Sequence, residues 1–170
     1  MIDAIGNAAN RHGFRIDLIP LGGFMLKLID PVLEMYSDRI INVHPADLSI
    51  LKEDGRRRYT GDHAVLDVVK DRRPSTKSTI HIVTEKLDCG EILVQKGMPI
   101  DYPDSIEDWK KFADEVQARQ KKECDWPAYV AALQMIAEGR FAIGTEPAPK
   151  TGLRPVFLDG IPLEYCGHQL

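Results

Sequence analysis

The feature that most constrains the fold is a set of short apolar runs, each cut off by glycine or proline. Ile16-Asp17-Leu18-Ile19-Pro20-Leu21 stops at Gly22-Gly23, and Arg39-Ile40-Ile41-Asn42-Val43 stops at His44-Pro45. Thr79–Val83 and Glu91–Lys96 supply two more. Runs this short and this rich in Ile and Val fit buried strands better than helices. Helical stretches lie around them: 2–13 closed by Gly13, a turn from Pro31 to about Tyr36, Asp62 to Lys70, and two longer ones near 105–122 and 126–138. Apolar strands separated by helices predict an α/β sheet that is at least partly parallel. A hairpin turning on Leu158-Asp159-Gly160 is expected in the tail. With no repeat or low-complexity segment, the 170 residues read as one domain.

Bulk properties narrow the partners. The formal charge is −4, which argues against a broad nucleic-acid or anionic-membrane surface. No apolar run is long enough to span a bilayer, and Met1-Ile2-Asp3-Ala4 does not open a signal peptide. Cys89, Cys124 and Cys166 are odd in number and far apart, so neither a disulfide framework nor a zinc site is expected, and a reduced, cytoplasmic compartment fits.

Two places carry residue types suited to chemistry. Asn42 and His44 flank one residue at the end of a buried strand, so both project to the same side. The carboxyl end of such a strand is where open α/β sheets place ligands. An amide can hold a developing oxyanion while an imidazole moves a proton. Asp88, in Leu87-Asp88-Cys89-Gly90 between two strands, could orient His44 and favour its charged form. Taken singly, each also has a structural explanation: a polar cap at a strand end, and an Asx turn ahead of Gly90. Asp62, His63 and His81 have no compact metal-ligand spacing with His44, so no metal is expected. His81 reads as a histidine bonded within the sheet. The run Arg56-Arg57-Arg58-Tyr59 reads as a solvated loop, with a phosphate clamp as the alternative.

Four stretches resemble the formyltransferase family that uses 10-formyltetrahydrofolate, and within it phosphoribosylglycinamide formyltransferase most of all. Leu21 to Leu28 resembles the family's L-A-G-F-M-R-I-L, and Arg39 to Pro45 its R-I-I-N-I-H-P. Ser78 to Gln95 follows T-V-H-F-V-T-E-x-x-D-x-G-x-I-x-x-Q, and Ala131 to Arg140 resembles the C-terminal helix and its exit. The resemblance implies a Rossmann-like formyltransferase sheet, mostly parallel. It also implies roles: Asn42 binding the formyl oxygen, His44 as general acid/base, and Asp88 raising the pKa of His44. Met25, Lys27 and Leu28, with Leu26 where the family has arginine, would line the folate pocket. The Glu85, Lys86, Leu87 and Asp88 turn would meet the pteridine. Gly23 and either Glu123 or Asp125 would face the substrate. The implied acceptor is a small amine, glycinamide ribonucleotide first. Water, as in a formyltetrahydrofolate hydrolase, and a non-catalytic folate-binding module are the alternatives.

The chain departs from that pattern at the front. It starts in what reads as the helix before the family's fourth strand, and no Gly-x-Gly loop occurs in residues 1–20. The sheet is therefore expected to lack the usual first βα units and the phosphate site. An apolar edge at 16–21 would then invite a second chain, so a homodimer or another contact covering that edge is expected, unless a preceding segment supplies it. The loop up to Gly61 is also longer and more basic than in the family.

Overall fold

The computed structural model describes residues 11–24, 26–149 and 151–170. A five-stranded open sheet forms the centre, in the order β1 (Ile19–Leu21), β2 (Ile40–His44), β3 (Ser75–Ile82), β4 (Ile92–Pro99) and β8 (His168–Gln169). β1 pairs parallel to β2, and β4 parallel to β8, while β3 is antiparallel to both of its neighbours. Four of the five strands thus run one way, and only β3 is reversed. A smaller antiparallel sheet holds β5 (Phe141–Ile143), β6 (Val156–Leu158) and β7 (Ile161–Pro162). The hairpin turn between the last two is the expected one, with Asp159 and Gly160 at φ 53° and 79°. Two successive positive φ values match the right-handed twist of a two-residue hairpin.

The helices are α1 (Val32–Met35), α2 (Ala64–Lys70), α3 (Trp109–Gln120) and α4 (Trp126–Ala137). Asp108 starts α3, its side chain accepting from the backbone of Lys110 and Lys111, which satisfies two donors that a helix start leaves open. One face of the sheet offers Ile41, Ile80, Ile82 and Val94 to Ala128 and Ala132 of α4. Alanine on the helix side lets backbone and sheet approach closely. A second cluster packs Val65, Val68 and Val69 of α2 with Met98, Ala113 and Val116. A third cluster joins Leu21, Leu28, Val32 and Ile40 beside β1.

Three expectations change. The first strand is only Ile19–Leu21, because residues 16–18 run past the start of β2 and find no partner there. The two long helices do not break near 123–125. A π-helical turn, Lys121–Asp125, joins them and turns both Cys124 and Asp125 inward. β5 and β8 were not foreseen, since strands of two or three residues carry no usable alternation. Of the helix expected over 2–13, residues 2–10 lie outside the described residues; Arg11 and His12 are helical and Gly13 has φ 66°. Among the described residues β1 stands at one end of the order of the main sheet.

Candidate active site

β2 carries Asn42 and His44 to its carboxyl end, and register sets them against His81 and Thr79 of β3. The ladder between β3 and β4 skips Leu93 at Ile80/His81. Such a bulge re-aims side chains, and here it lies next to His81. The Asp88 turn follows. Asp88 sits at φ 51°, a region where aspartate is tolerated better than most residues. Gly90 explains the Asp-x-Gly spacing, because a Cβ there would overlap the Ile82 carbonyl.

His44 is 4% exposed and Asp88 6%. His44 Nδ1 lies 3.4 Å from Asp88 Oδ2, and its Nε2 lies 2.8 Å from the Tyr59 carbonyl, which can only accept. Asp88 Oδ2 also accepts from the Gly61 amide at 2.8 Å. Both ring nitrogens of His44 therefore face acceptors, which favours the imidazolium. Burial opposes this more strongly and holds the His44 pKa below its ordinary value, with Asp88 pulling it back up. The expected influence of Asp88 is present, but the net shift is downward. Burial and the neighbouring carboxylate thus pull the proton affinity of His44 in opposite directions, a useful balance for proton transfer.

His81 is the residue that sequence reasoning underrated. Its Nδ1 donates to its neighbour's carbonyl at Ile82, as a sheet histidine would, but its Nε2 lies 3.6 Å from Asp88 Oδ1 and has no hydrogen-bond partner. Burial first and His44 second hold its pKa low. The alignment of His81 opposite Asn42 was the available signal, and it needed the register to be seen.

A shallow cleft of about 50 Å3 opens in front of these residues. Asn42, His81 and Asp88 line its inner wall, and Leu26, Lys27 and Leu28 its outer lip. Lys86 and Leu87 close one side. Met25 lies outside the described residues. Gly23 and Glu85 are exposed and do not line the cleft. His44 stands behind Asp88 and does not line the cleft either. Neither proposed acidic substrate contact reaches the cleft. Glu123 is exposed, 3.6 Å from Arg119, and Asp125 is buried and accepts from the Ser78 hydroxyl. Burial raises the Asp125 pKa, and its charge still reaches His44.

The family model described as formyl transferase matches residues 6–121. The chain belongs to the formyl transferase family. Among similar proteins of this family, the phosphoribosylglycinamide formyltransferase of Haemophilus influenzae is 28% identical over 168 residues, which is 99% of this chain and 67% of the relative. The trifunctional purine biosynthetic protein adenosine-3 of Gallus gallus is 30% identical over 131 residues, 77% of this chain but 12% of the relative. A solved phosphoribosylglycinamide formyltransferase of Coxiella burnetii superposes with a TM-score of 0.69 at 26% identity, covering 99% of this chain and 67% of that one. The chain thus spans from about a tenth to two thirds of the length of these relatives. Among the described residues no helix is long and apolar enough to cross a membrane.

Proposed function

We propose that this formyl transferase chain moves a formyl group from 10-formyltetrahydrofolate to a small amine, with glycinamide ribonucleotide of purine biosynthesis as the first acceptor to test. The observation that carries this reading is the buried His44–Asp88 pair, 3.4 Å apart, whose carboxylate residue lines a cleft that Asn42 also lines. A flat, partly apolar ring seated at the cleft would meet Leu21, Phe24 and Val83, with Thr84, Lys86 and Leu87 beside them.

The donor supplies a formyl carbon on a nitrogen that can leave. As the acceptor amine adds to that carbon, negative charge grows on the formyl oxygen, and the Asn42 amide donates to it. The amine must also lose a proton. Asp88 is on the cleft wall and His44 is behind it, so the proton passes to the Asp88–His44 pair and returns to the leaving nitrogen from there. The Gly61 amide and the Tyr59 carbonyl keep the two side chains in register during the transfer. Glycinamide ribonucleotide as acceptor comes from the relatives, and the long loop 49–60 makes the acceptor the part most worth testing.

The test follows donor consumption with purified protein, with and without glycinamide ribonucleotide. Amine-dependent consumption that drops about 100-fold or more in His44→Ala supports the reading. Equal consumption without amine makes water the acceptor. Folate binding with no turnover in either protein sinks the enzyme reading and leaves a binding module.

A further inference from the structure

We propose that Arg57 is a positioning residue: its guanidinium clamps the turn that carries Asp88 and so fixes Asp88 against His44. This rests on Asn42, His44 and Asp88 being the formyl-transfer centre.

The basic loop reads as a solvated stretch, but it folds back on itself as a narrow two-stranded bend. Lys52 N–H donates to Arg56 O, Arg58 N–H donates to Ile50 O, and Leu51 bridges Arg57, around Gly55 at φ 79°. Extended backbone alternates its side chains. Arg56 and Arg58 therefore point outward, where each meets a carboxylate: Asp54 at 2.7 Å and Asp71 at 2.7 Å. Arg57 points inward and is only 6% exposed.

What Arg57 meets is the active-site turn. Its Nη1 donates to the Asp88 carbonyl at 2.5 Å and its Nη2 to the Gly90 carbonyl at 2.8 Å. These carbonyls bracket Cys89, and the planar fork of a guanidinium matches such a pair, which a single ammonium cannot do. The third donor, Nε, meets the Tyr165 hydroxyl at 3.1 Å, with the guanidinium carbon 5.7 Å from that ring's centre. Loop, turn and tail are thereby tied at one buried cation with no carboxylate among these partners. The tie also holds Asp88 in its left-handed conformation at φ 51°, which aspartate tolerates but does not prefer. The charge has a second effect. Burial is the main reason His44 is held below its ordinary pKa, and the nearby Arg57 charge pushes the same way.

The decisive experiment is a cycle of Arg57→Lys and Asp88→Asn in the full chain, with turnover, Michaelis constants and amide hydrogen exchange measured on each protein. Arg57→Lys keeps the charge but holds one carbonyl at most. It should cut kcat about tenfold with donor KM within about threefold, since small misplacements of a reacting group are that costly. In the Asp88→Asn background the same change should cost less than about twofold, because the two residues act as one unit. Exchange at the Gly61 amide, which needs the Asp88 carboxylate as its acceptor, should rise about tenfold in Arg57→Lys while Val94 stays unchanged. Tyr165→Phe, which keeps both carbonyl bonds, should have the smaller effect on both readouts. Equal losses of turnover in both backgrounds, or unaltered exchange at Gly61, overturn the clamp. Should the unmodified protein transfer no formyl group, the functional reading falls, and Gly61 exchange alone upholds or overturns the clamp.

Discussion

The two walls of the cleft are built in opposite ways. The inner wall is a corner where β2, the Asp88 turn and the loop before α2 converge, and its polar groups gather on Asp88. Asp88 alone is approached by His44, His81 and the Gly61 amide. The outer lip, by contrast, holds Leu26 at 75% exposure, anchored in the core through Leu28. The inner wall is pre-organised for charge and proton movement, and the lip presents apolar surface that awaits cover. A transferase needs that division: the reacting groups must be fixed before the substrate arrives, while ring recognition can be left to surface that the ligand buries.

The comparison can be broken most sharply at Asp88. Asp88→Asn keeps the shape of the side chain but removes its charge. Turnover should fall about 100-fold or more with donor KM changed less than about tenfold, as read from steady-state kinetics. Unchanged turnover would show that the braced corner is not where chemistry occurs.

A smaller effect is expected from acid. His44 and His81 are both held below their ordinary pKa by burial, so the unfolded chain binds more protons than the native one once the pH drops below about 6.5. The stability contributed by keeping them neutral is fully present above that value and is lost as the pH falls. The Tm should drop by about 5 °C between pH 7 and pH 5, and His81→Gln should flatten that slope. A Tm that stays level across this range, or a slope that His81→Gln leaves unaltered, would mean that the corner does not hold its histidines neutral.

The smallest effect on stability belongs to the lip. Leu26→Ser should move the Tm by no more than about 1 °C, because an exposed side chain contributes little to folding. Its donor KM should rise several-fold in the same kinetic assay if the lip covers the donor. A stability loss without a KM change would assign Leu26 to the fold instead.

Much of the inner wall was legible in the sequence. The alternation across Val43 put Asn42 and His44 on one face, and Asp88-Cys89-Gly90 announced a turn whose glycine proves to be required by the Ile82 carbonyl. The contribution of His81 was not legible, because it depends on register with β2 and on the skipped residue in β4. Arg57 was hidden for a related reason. Three consecutive arginines look alike in a sequence, and its partners lie 31, 33 and 108 residues away. The π-helical turn escaped because a one-residue change of helical phase leaves no compositional mark, so Glu123 and Asp125 could not be told apart.

The reversal of β3 also sets the order in which the site can assemble. Ile82 and Glu91, bonded across the Asp88 turn, are near neighbours in the chain, whereas His44 meets Thr79 only after a much longer excursion. The entropy of closing the longer loop exceeds that of the shorter by about 1 kcal/mol, since the cost grows with the logarithm of length. During folding the hairpin bearing the carboxylate therefore closes at lower cost than the pairing that brings its imidazole, and destabilising β2 would leave a formed turn waiting for its partner.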